Sequence, residues 1–230
     1  MLKVLHEDNH IIVVIKPQNI PSQADESGDE DLLSMVKAYL KEKYNKPGNV
    51  YVGLVHRLDR PTGGIMVFAK TSKAASRLSE QIKKHTTTKV YYTVVDGELR
   101  ANEEVLINYL KKDEKNNIVK IVSQGEKESK RAELYYKVLQ TEGQYSLLEV
   151  KLLTGRSHQI RVQMNGIGLP ICGDAKYNKK ASAKMKNLAL WAGRLEFNHP
   201  VTKERMVFIA PPDATKTPWN KFFINKYFVK

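Results

Sequence analysis

The chain has 230 residues, enough for one sizeable core, and 38 Lys and Arg against 25 Asp and Glu leave a formal charge of +13. That imbalance points to a polyanionic partner, nucleic acid before an anionic membrane surface, because no apolar stretch approaches the ~20 residues a bilayer span needs. One cysteine, Cys172, excludes an internal disulfide and a zinc site built on paired cysteines.

In chain order, IIVVIK (11–16) is short and β-branched and reads as a buried strand stopped by Pro17. DLLSMVKAYLKEKY (31–44) places Leu33, Val36 and Leu40 at helical spacing. IMVFAK (65–70) predicts a strand, and TSKAASRLSEQIKKH (71–85) a capped helix with Ala74, Leu78 and Ile82 inward and a Glu80/Lys84 pair outside. KVYYTVVDG (89–97) and the runs 131–139 and 145–153, joined around Gly143, alternate as neighbouring antiparallel strands, with Leu148, Val150 and Leu152 on one side. A short helix near 157–165, strands near 188–197 and 204–210, and a terminal helix near 217–227 complete the expected elements. Strands and helices mix without regular βαβ alternation, so we expect a single α+β domain, 1–230, around a mostly antiparallel or mixed sheet.

Several motifs fail on context. HEDNH (6–10) matches the zinc-protease pattern, but it runs straight into a strand and so cannot set both histidines on one helical face. HRLD (56–59) has none of the other kinase elements around it, and no G-x-x-x-x-G-K-[ST] loop argues for a nucleotide triphosphate. A metal site and a bound nucleotide triphosphate are therefore not expected. The lysines 111, 112, 115, 176, 179, 180, 184 and 186 form basic runs that suit either plain solvated surface or contact with RNA or DNA.

Five stretches together are similar to the RluA-like family of RNA pseudouridine synthases: HIIVVIKPQNIPSQ (10–23), HRLDRPTGGIMVFAKT (56–71), KVYY (89–92), LLTGRSHQIRVQMNGIGLPICGDAKY (152–177) and LALWAGRLEFNHP (188–200). The resemblance implies the pseudouridine synthase fold and a cofactor-free isomerase that converts uridine in RNA to its carbon-linked isomer. It makes Asp59 the catalytic aspartate, Tyr91 the tyrosine stacked on the target base, Arg161 the arginine paired with the aspartate, and Arg57 the residue that fills the space of the extruded base. Arg60, Lys89, Arg156 and His158 are further candidates for substrate contact, the last two at an expected helix start where backbone N–H groups favour phosphate. Pro61, Gly63, Gln163, Asn178 and Trp191 depart from the commonest family pattern, which leaves the reaction untouched and the substrate open.

The chemistry is consistent with that assignment. A carboxylate beside the sugar has two routes, attack on the anomeric carbon or removal of the 2′ proton to give a glycal, and the residues do not choose between them. Either route needs the charge kept in a water-poor pocket, and an arginine is a suitable partner because it stays protonated and forms two-pronged pairs. The expected partner is a transfer or ribosomal RNA stem-loop, held by a cytoplasmic, monomeric catalytic domain without a separate RNA-binding module in front. A non-catalytic RNA-binding or chaperone protein on the same fold is the alternative, and a hydrolase releasing free uracil is another.

Overall fold

HEDNH forms the end of a strand and a turn. Strand β1 (Lys3–Glu7) pairs antiparallel with β2 (Ile11–Lys16), and between them Asp8 Oδ1 accepts the backbone N–H groups of His10 (2.7 Å) and Ile11 (2.9 Å). The computed structural model describes residues 2–97, 99, 101–178, 185 and 187–228. Lys179, Lys180, Lys184 and Lys186 lie outside the described residues. The chain divides into two units, Met1–Thr88 with Ala192–Ala210, and Lys89–Trp191 with Pro211–Lys230.

In the first unit β2 also pairs with β4 (Gly63–Ala69), which pairs with the short β3 (Gly53–Leu54); β10 (Leu190–Asn198) pairs with β11 (Arg205–Ile209). Every residue of β2 and β4 is buried, as expected for strands covered on both faces. Helix α1 (Leu32–Lys43) starts at Asp31, whose side chain accepts the Ser34 N–H, and buries Leu32, Val36 and Leu40. The inward row therefore begins at Leu32 rather than Leu33, an i, i+4, i+8 spacing. Helix α2 (Ser72–Lys83) is capped by Thr71, buries Ala74 and Leu78, and carries the Glu80–Lys84 pair on its exposed side at 2.7 Å.

Gly64 shows how tightly this unit is assembled. Its φ is +127°, and a Cβ there would stand 2.3 Å from the Ala192 carbonyl oxygen and 2.6 Å from the Ala192 nitrogen. Only glycine admits that approach.

One carboxylate ties β1 to the end of α1. Glu7, its side chain 7% exposed, accepts from Lys43 (2.7 Å), Lys70 (2.8 Å) and Tyr44 (2.6 Å). Burial alone would raise its pKa, but these hydrogen bonds outweigh burial and bring it down from 4.5 to about 2. A carboxylate depressed in the folded state stabilises the fold above its unfolded pKa and loses that contribution as pH falls through the folded value. Stability should accordingly drop between about pH 4.5 and 2. Urea denaturation across that range, repeated on Glu7→Gln, checks it: the variant should be less stable at neutral pH and flatter toward acid, and parallel curves would refute the assignment.

The second unit is a five-stranded antiparallel arrangement in the order β5 (Thr88–Asp96), β9 (Tyr145–Leu152), β8 (Lys130–Glu142), β6 (Glu103–Asp113), β7 (Ile118–Val122). The hairpin of β8 and β9 turns at Gly143, φ +56°. Helix α3 (Gln159–Gly166) lies on this sheet, with Val162 packed among Leu110, Val119 and Ala132. Residues 103–122, where the sequence reading singled out only the lysines 111, 112 and 115, form a β6–β7 hairpin.

The terminal helix near 217–227 does not form. Two separate single turns of 3-10 helix, Trp219–Lys221 and Ile224–Tyr227, flank Phe222, whose backbone is extended. The buried residues of this stretch are Pro218, Trp219, Phe222 and Ile224, spaced one, three and then two. No α-helical face satisfies that spacing, and a turn, an extended residue and a second turn do.

Candidate active site

Asp59 sits half-buried in the segment between β3 and β4, and its carbonyl accepts the Thr62 N–H at 2.9 Å, closing a turn over HRLDRPT. The turn is fastened from the stretch after β2. Ser22 Oγ donates to the Leu58 carbonyl (2.8 Å) and accepts the Leu58 N–H (3.1 Å), and Gln18 Nε2 donates to the Pro61 carbonyl (3.1 Å). Lys16, wholly buried, donates from Nζ to three carbonyls, those of Pro17 (2.9 Å), Ile20 (2.6 Å) and Arg60 (2.9 Å).

Three acceptors match the three N–H donors of an ammonium. Burial pushes the Lys16 pKa down to about 7, against the opposing pull of the Asp59 charge and with a smaller push from Arg60. Sequence reading missed this lysine because it appears there only as the last residue of a buried strand. Replacing it with methionine strips three carbonyls of their donor. Lys16→Met should therefore lose ~3 kcal/mol of stability, and its activity should fall with the loosened turn. Urea denaturation and an isomerisation assay check this, and a variant as stable as the parent would show that the carbonyls are satisfied otherwise.

The two arginines flanking Asp59 differ. Arg57 is exposed. Arg60 is exposed too but engaged: Nε donates to the Asn19 carbonyl (3.1 Å), Nη1 to Ser27 Oγ (3.0 Å), and Nη2 pairs with Asp29, with Asp25 at 3.8 Å.

In the second unit, Tyr91 is 8% exposed on β5, opposite Val150 of β9, and burial lowers the pKa of nearby Lys89. Arg161 and His158 both stand at the start of α3. Arg156 lies just before it, exposed, with Nε donating to the Arg131 carbonyl (2.9 Å) and its own N–H donating to Gln159 Oε1 (3.0 Å). His158 is the N-cap, with φ at +52° and no capping bond from its side chain; its Nδ1 instead lies 2.7 Å from Tyr177 Oη. Arg161 is buried, and its Nε and Nη2 donate to Asp174 Oδ2 (2.8 Å) and Oδ1 (2.7 Å). Asp174 was not singled out in the sequence, although it lies within GDAKY.

Gln163, a departure from the family pattern, is fully buried and donates to the Leu106 carbonyl (3.1 Å) and Asn108 Oδ1 (2.8 Å), so it serves β6. Among the described residues no group of three His, Cys, Asp or Glu is arranged to hold a metal ion, and no helix is long and apolar enough to cross a membrane.

The family model described as RNA pseudouridylate synthase matches residues 10–166. The Bacillus subtilis protein described as uncharacterized RNA pseudouridine synthase YhcT is 34% identical over 213 residues, covering 91% of this chain and 68% of its own length. Ribosomal large subunit pseudouridine synthase D of Borreliella burgdorferi is 34% identical over 203 residues, covering 86% of this chain and 61% of its own. The chain thus spans about two thirds of the length of these relatives. Human RNA pseudouridylate synthase domain containing 4 shares the fold, with a TM-score of 0.77 at 21% identity over 95% of this chain and 90% of that one. A family match running from β2 through α3, with a relative 34% identical over 91% of the chain, establishes that the chain belongs to the RNA pseudouridylate synthase family, enzymes that isomerise uridine in RNA.

Proposed function

We propose that the enzyme acts on a uridine in a stem-loop of transfer or ribosomal RNA, with Asp59 as the catalytic carboxylate, Tyr91 stacked on the uracil and Arg161 as counter-ion to Asp59. The observation that carries the reading is the fastening of the Asp59 turn through Lys16, Gln18 and Ser22, which holds one carboxylate in place by contacts to its neighbours' backbone. A fixed carboxylate is what the chemistry needs. The bond from N1 of uracil to C1′ of the ribose breaks, the uracil turns, and C5 bonds to C1′; the C5 proton is lost and N1 is protonated, so nothing is oxidised and nothing leaves.

Asp59 either forms a covalent bond to C1′ or takes the 2′ proton, returning it when the new bond forms. Tyr91 supplies a face for the base and a hydroxyl for the C5 proton. Extruding a stacked base costs a few kcal/mol, offset by contacts elsewhere. Arg57 at the vacated stack and Arg60, Lys89, Arg156 and His158 toward phosphates are the groups proposed for those contacts. The net charge of +13 supports a phosphate-dominated hold on folded RNA.

The test is a transcriptome-wide pseudouridine map, by carbodiimide labelling and reverse transcription, of cells with and without the protein. One site lost in a transfer or ribosomal RNA loop, restored by the parent chain and not by Asp59→Asn, is the expected result. A lost site confined to another RNA class would overturn the substrate assignment.

A further inference from the structure

We infer that Asp174 and Tyr177 are positioning residues, a preformed seat that fixes the Arg161 guanidinium in one orientation; this rests on the reading of Arg161 given above. The pair is buried deeply, at 6% side-chain exposure for Arg161 and 1% for Asp174. Taking two charges that far from water costs about as much as their attraction returns, and apolar side chains of similar size would serve packing as well or better. Such a pair is therefore poorly explained by stability. What it does supply is a guanidinium held along one edge by two hydrogen bonds of 2.8 and 2.7 Å, in fixed orientation.

The seat is built without help from Arg161. Asp174 Oδ1 also accepts the backbone N–H groups of Lys176 (3.0 Å) and Tyr177 (3.1 Å), and the Asp174 carbonyl accepts the Asn178 N–H (2.8 Å). The carboxylate is thus anchored to its own turn. Gly173, φ +74°, leads into it, and a Cβ there would lie 2.0 Å from the Asn187 carbonyl oxygen, so the backbone path admits no other residue.

Tyr177 closes the arrangement. Its ring centre lies 5.1 Å from Arg161 Cζ, within cation–π range. Its hydroxyl oxygen accepts the Val119 N–H at 2.9 Å and stands 2.7 Å from His158 Nδ1, with the His158 ring edge-on to the tyrosine. One side chain therefore braces the arginine, grips the backbone of β7 and holds the residue that starts α3. A group held this firmly before substrate arrives needs no reorganisation in the reaction, which is where catalytic electrostatics gain most.

The experiment measures single-turnover isomerisation of a substrate RNA, alongside RNA affinity, for Asp174→Asn, Asp174→Glu and Tyr177→Phe. Misplacement of a catalytic group by about 1 Å costs roughly a hundredfold, so Asp174→Asn should slow the chemical step by about that factor with affinity changed less than about threefold. Asp174→Glu, which keeps the charge and shifts it by one methylene, should recover part of the rate. Tyr177→Phe keeps the ring and fold, and should slow the step by roughly tenfold at unchanged affinity, so the inference remains testable if Asp174→Asn does not fold.

A second readout separates positioning from plain structural support. In Arg161→Ala, added ethylguanidinium should restore turnover saturably while Asp174 is present, and fail to do so in Arg161→Ala/Asp174→Asn. A parental single-turnover rate in both Asp174→Asn and Tyr177→Phe, or equal ethylguanidinium rescue with and without Asp174, would overturn the seat. Full activity of Asp59→Asn would instead remove the underlying reading of the site, so the two failures are distinguishable.

Discussion

Asp59→Asn should abolish isomerisation, by at least roughly a thousandfold in turnover, while RNA affinity stays within a few-fold. The amide keeps the size of the carboxylate and loses the charge that either attacks C1′ or takes the 2′ proton. The grips of Lys16, Gln18 and Ser22 on the turn fall on the backbone of Arg60, Pro61 and Leu58. Folding should therefore survive the change, and tritium release from RNA carrying 5-tritiated uridine, set beside a binding titration, reads both halves of the expectation. Appreciable turnover by the variant would remove Asp59 from its assigned role. Release of free uracil by the parent chain would instead point to hydrolysis.

Arg161→Met should remove most activity and destabilise the fold as well. The methionine fills much of the arginine's volume, but Asp174, 1% exposed, is left with its charge and without its two-pronged partner. Breaking a buried pair from one side costs about 3–5 kcal/mol. Replacing both members should cost less, because no uncompensated charge remains: Arg161→Met/Asp174→Asn is expected to regain part of the stability and none of the activity. Urea denaturation of the three variants decides this, and an Arg161→Met midpoint equal to that of the parent would show that Asp174 finds another partner.

How much of this was legible depended on whether a feature repeats along the chain. Buried strands such as IIVVIK and the alternating pair 145–152 and 130–142 announce themselves, because a run of β-branched or alternating residues has few other uses. The β6–β7 hairpin does not, since Leu106 and Leu110 point inward while Val105 and Ile107 on the opposite face are exposed, so the apolar residues do not alternate. The lysines 111, 112 and 115 then read as surface, solvated or facing nucleic acid, rather than as parts of a hairpin. In the C-terminal stretch one helix was expected, and only the position of the core beneath Trp219, Phe222 and Ile224 decides otherwise.

At the site, Asp59 stood out through the residues packed around it in the motif, but its fastening did not. Lys16 lies 44 positions before the carbonyl of Arg60, and Asp174 lies 13 positions after Arg161 across a loop, separations that no local period encodes.

The grip of Lys16 also bears on how freely this region tolerates exchange. Its three contacts fall on main-chain oxygens, at Pro17, Ile20 and Arg60, which every amino acid carries. The hold of Lys16 on the turn is thereby independent of which side chains stand at those positions. A saturation library should reject nearly all residues at 16 and accept varied ones at 20, whereas exchanges at 60 should act only through the Arg60 side chain's own contacts to Asn19, Ser27 and Asp29, with the hold of Lys16 on the main chain beside the aspartate kept.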